Sequence, residues 1–168
     1  MISAIISRSA VLLLLLTMPT AAFSQWLDGG EDIWVDGQKP NIAMAFDRDY
    51  ALAFRCDADG VSSMYLVPVV LDNTDIDRSV RLVTLHILVD DLEVLKKSAV
   101  VDRPARRLLV KATANADRTL LEQIRRAKHS VSVAVLLNEQ KFYDHTFSAL
   151  GSADTIEKFM ATCRSLGS

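Results

Sequence analysis

Over most of its length the chain sets short β-type runs between turn clusters, and it becomes helical only twice. The strongest run is residues 80–89 (VRLVTLHILV), where Val83, Leu85, Ile87 and Val89 form one apolar face. Leu82 and Leu88 make its other face partly apolar, which predicts a central strand covered on both sides. Val131, Val133, Val135 and Leu137 alternate with Ser130, Ser132 and Ala134. A turn at 138–140 leads from that run into 142–149, predicting an antiparallel hairpin. Residues 42–46 and 50–56 flank Asp47-Arg48-Asp49 and predict another hairpin. Asp57-Ala58-Asp59-Gly60 then suits a turn with a left-handed glycine. Residues 63–70 read as a third strand, in which Pro68, having no ladder donor, argues for an edge or a bulge. Residues 92–104, with Glu93, Lys96 and Lys97, read as an exposed edge strand or a loop, and 108–112 as a short strand.

Helical spacing is clear in two places. Leu120, Leu121, Ile124 and Ala127 share one face of a helix capped by Asn115 or Asp117 and ending near Lys128. Arg125, Arg126, Lys128 and His129 gather at its C-terminal end, where cations complement the helix dipole. Ile156, Phe159, Met160, Cys163 and Leu166 mark a second helix, with Ser152 as its cap and Asp154 in its first turn. Strands followed by helix–strand–strand–helix, without βαβ alternation, predict an α+β class. The expected architecture is a mostly antiparallel, sandwich-like sheet packed by two helices, in one domain over 41–168. An extended lead-in over 25–40 precedes it, with a short strand expected around Ile33–Val35. Its Trp26 and Trp34 are expected to plug one end of a β core.

Residues 1–24 (MISAIISRSAVLLLLLTMPTAAFS) change the picture of compartment. Arg8, a short apolar core ended by Pro19, and small residues before position 25 match a secretory signal peptide cleaved after Ser24. That core is too short to span a bilayer. The expected location is periplasmic or secreted. Cleavage removes one cation, leaving 18 basic against 21 acidic residues. That balance points away from nucleic acid and anionic membrane surfaces as partners. Cys56 and Cys163 are the two cysteines, and in an oxidising compartment their pairing is the default. Cys163 lies on the apolar stripe of the last helix, so it faces the sheet that carries Cys56. The bond is expected to tie that helix to the sheet, and Cys-x-x-Cys redox chemistry is excluded by the spacing.

Candidate chemistry is sparse. The sequence holds no His-Glu-x-x-His, no Gly-x-Ser-x-Gly, no phosphate-binding glycine loop and no cysteine quartet for zinc. His86, His129 and His145 each have a structural explanation: the outer face of a central strand, a helix C-terminus, and a strand position between Tyr143 and Phe147. Asp57-x-Asp59-Gly60 and Asp72, Asp75 and Asp77 superficially suit calcium; the first lacks the bidentate acid that closes calcium loops, and the second is the better candidate, although acidic turn residues are commonly just solvated. The reading is therefore non-enzymatic, with no catalytic, cofactor or metal residues.

The strand ending in Cys56, the strand ending in Val89-Asp90, the Leu120-Leu121 helix, the valine-rich strand over 131–137, and Phe147-x-x-x-Gly151-Ser152 leading to a helix with Cys163 carry a resemblance. This layout, over 50–163, resembles small exported bacterial proteins of the invasion-associated locus B-like and type VI secretion-associated periplasmic accessory group. The resemblance implies an envelope interaction or accessory protein with a protein partner, and leaves a link to secretion machinery open. Two alternatives remain: a small-ligand or glycan binder using Trp26, Trp34 and Tyr143, and a hydrolase using Asp57, Asp59 and Asp72 with His145.

Overall fold

A strand as apolar as 82–89 has to lie inside a sheet, and β5 (Leu82–Val89) does, between β6 (Leu95–Asp102) and β8 (Ser130–Leu137). The structure, a computed structural model, describes residues 25–28, 41–57, 60–68, 80–103, 107–113 and 118–166. The remaining strands are β1 (Gln25–Asp28), β2 (Asn41–Asp47), β3 (Tyr50–Asp57), β4 (Gly60–Pro68), β7 (Arg107–Ala112) and β9 (Gln140–Ser148). The described strands form one nine-stranded sheet in the order β1-β2-β3-β4-β7-β6-β5-β8-β9. Every pairing is antiparallel. The sheet curls into a nearly closed barrel, so the α+β architecture holds with one continuous sheet.

Turn chemistry sets the register. Arg48 (φ 55°) lies in the tight β2–β3 turn, and Asp47 pairs with Tyr50. Asn138 and Glu139 both adopt positive φ (50° and 67°), the twist a two-residue hairpin needs, and Leu137 pairs with Gln140. Gly60 takes the left-handed position expected of it, at φ 119°.

Inward residues of the strands form one core with two helices, α1 (Arg118–Arg126) and α2 (Ser152–Leu166). Leu120 and Ile124 of α1 and Ile156 and Phe159 of α2 are fully buried. Each contributes about 1.5–3 kcal/mol relative to exposure. A smaller cluster, Ile42, Ala53 and Met64, is buried on the opposite sheet face.

Four sequence expectations are corrected. β4 is an interior strand between β3 and β7; Pro68 is its last residue, where a missing donor breaks no interior rung. β6 is likewise interior: Lys96 and Asp102 point outward, while Lys97 lies half-buried on the side of Ala99 and Val101, so its charge does not mark an edge. β5 is central, but its second face is open at one end, with Leu82 67% exposed. Ser152 starts α2, yet its buried Oγ donates to the Ile124 carbonyl (2.9 Å), pinning the start of α2 to the end of α1. The lead-in contributes β1 to the sheet; the strand expected at Ile33–Val35 lies outside the described residues.

Candidate functional site

The two ends of the sheet meet along a seam held by side chains. Trp26 of β1 is buried, and its Nε1 donates to the Ser148 carbonyl of β9 at 2.7 Å. It plugs the core, as its size and amphipathic ring suit it to do. Beside it, His145 Nε2 lies 3.1 Å from Asp47 Oδ2. The His145 ring stacks on Tyr50 (4.2 Å, 3°) and meets Phe147 edge-on (4.8 Å, 72°). His145 is thereby engaged with Asp47, a carboxylate that sequence reasoning did not single out. The Asp57 side chain, Asp59, Trp34, Asp72, Asp75 and Asp77 lie outside the described residues.

Cys56, buried near the end of β3, and Cys163, half-buried on α2, come into contact as the helical stripe predicts. Asn41, the cross-strand partner of Cys56, donates through Nδ2 to the Phe159 carbonyl (2.9 Å) and to Cys163 Sγ (3.5 Å). Burial, and then the neighbouring Cys56, push the Cys163 thiol up to about 12. Such a thiol is a poor nucleophile, which suits a structural pair better than a reactive one.

A concavity of about 560 Å³ lies elsewhere, between the β5–β6 turn and α1. Its first wall is Asp90, Asp91 and Leu92. Its second is the α1 face carrying Thr119, Glu122, Gln123 and Arg126, residues brought together by helical spacing. Lys128 and His129, on the link to β8, close the third side.

Asp90 fixes this geometry. It sits in the left-handed region (φ 48°), which a short polar side chain tolerates. Its Oδ2 accepts from Lys128 N (2.9 Å), and its Oδ1 accepts from His129 N (2.9 Å) and Ser130 N (2.8 Å). Its own N–H donates to the Ser130 carbonyl at 2.9 Å. The Lys128 and Ser130 amides, with His129 adding, hold its carboxyl below the usual carboxylate range. Glu122 is also lowered, chiefly by its hydrogen bond from Arg125, with Nε at 2.9 Å.

Asp90 and Glu122 are thus engaged, and several other groups of the cleft are not. Among the described residues the Lys128 ammonium, the His129 ring, the Thr119 hydroxyl and the Asp91 carboxylate make no hydrogen bond. Arg126 is mostly exposed, its Nε 3.9 Å from Glu122. Gln123 Oε1 is buried with no partner. The cleft thus gathers cations, a hydroxyl, a carboxylate and the exposed Leu92. Sequence reasoning saw the cations as dipole partners and Asp90-Asp91 as a turn. The fold brings both to one cleft.

His86 faces outward from β5; partial burial, and then Lys96 opposite it, lower its basicity. No group of three His, Cys, Asp or Glu among the described residues is placed to hold a metal ion. No described helix is long and apolar enough to cross a membrane. No protein-family model matches the sequence, and no match is found among the curated proteins or the solved structures.

Proposed function

We propose that this protein is an exported, non-enzymatic interaction module of the bacterial envelope, periplasmic or secreted, and that it engages a protein partner through the cleft between α1 and the β5–β6 turn. The observation that carries the reading is the state of the cleft's side chains: Asp90 and Glu122 are engaged in holding the walls, while Lys128 and His129 line the cleft without a side-chain partner among the described residues and Arg126 is only loosely paired with Glu122, at 3.9 Å. A groove with fixed walls and unspent polar groups is what recognition requires, because little ordering is lost on binding. The leader-like residues 1–24 and the meeting of Cys56 with Cys163 support export and an oxidised, bridged mature form. The glycan alternative is weakened at Trp26, whose ring is buried and whose Nε1 is occupied.

The test uses the chain expressed with its leader in its own host. The mature mass should begin at Gln25 in the envelope or secreted fraction. A lysine-reactive crosslinker should join Lys128 to one dominant protein, and excess unlabelled mature protein should compete that product away. Crosslinks spread evenly over all surface lysines, or a mature mass that retains residues 1–24, would overturn the reading.

A further inference from the structure

We draw no further inference here: the strongest candidate, the edge of β9 that faces away from β8, is blunted against an added strand by its bulge opposite Val135 and Leu136, by the exposed Lys141–Asp144 ion pair and by the Trp26 bond to the Ser148 carbonyl, and nothing in the structure shows what would pair with it.

Discussion

Removing the Asp90 carboxylate should loosen both the fold and the cleft, by an amount the geometry sets. Asp90→Ala deletes an acceptor shared by three backbone N–H groups at 2.8–2.9 Å and places a β-carbon residue without a local acceptor at φ 48°. Loss of a capping side chain costs about 0.5–2 kcal/mol, and a left-handed alanine adds about 1 kcal/mol. Water reaches this turn and replaces part of what is lost, so about 2 kcal/mol in total is expected after screening. Asp90→Asn keeps the left-handed tolerance and an acceptor but loses the charge, for about 1 kcal/mol. With a urea slope of about 1–3 kcal/mol per molar, the alanine variant should unfold about 1 M earlier.

The pH dependence follows from the sign of the shift. The Asp90 carboxyl is depressed in the folded state, so the unfolded chain binds its proton more readily. The stabilisation is fully present above the unfolded carboxylate range, near pH 4, and disappears as pH falls through the lower folded value. The gap between wild type and Asp90→Asn should therefore close in acid. Urea titrations followed by tryptophan fluorescence at neutral pH and near pH 3 read both effects. An Asp90→Ala midpoint equal to wild type, or a gap to Asp90→Asn that persists undiminished in acid, would refute the clamp.

Further outcomes are expected elsewhere. Tyr65 is fully buried with its hydroxyl unpartnered, and burial, then Tyr50 and Asp144, hold it in the neutral form. Tyr65→Phe should thus raise stability by about 1 kcal/mol or more by deleting an unpaired polar atom; a loss in urea unfolding would show that the hydroxyl has a partner. Cys163→Ser should lower stability by about 2–5 kcal/mol in protein matured in an oxidising compartment. Two titratable thiols in that protein, after unfolding in denaturant, would refute the bridge. In the reduced protein the raised Cys163 thiol should resist alkylation until the chain unfolds, followed as mass added over time. Trp26→Phe should cost about 1–3 kcal/mol, through the lost bond to Ser148 O and the poorer fill, and should increase protease cleavage in β1 and β9; an unchanged urea midpoint would count against the seam.

Local pattern was enough for the elements whose burial is one-sided. The alternation of Val131, Val133 and Val135 and the stripe Ile156–Phe159–Cys163 place those residues on the core side, because period and burial agree there. β6 defeated that reasoning. Lys96, Ser98 and Val100 point outward while Ala99 and Val101 are buried, so charge masked an interior strand. Pro68 misled in the opposite sense: its chemistry forbids a mid-ladder rung but permits a strand end. The cleft was visible only in parts. Its cations were obvious as a cluster, yet their meeting with Asp90 spans 38 to 40 positions and depends on the pairing of β5 with β8, which no local signal encodes.

The seam joins the beginning of the described chain to its end. Trp26 bonds across 122 positions to Ser148, and Asn41 across 118 to Phe159. Contacts of such long range are the slowest to form, because the intervening chain must be ordered first. A polypeptide threaded through a membrane pore from its N-terminus would hold β1 to β4 outside long before β9 and α2 arrive. Until then the sheet has an unfinished side, with Trp26 and Cys56 uncovered. On the proposed export route, the closing of this barrel would therefore report that translocation is complete, and the period before closure is when a chaperone or an oxidising disulfide donor would have access.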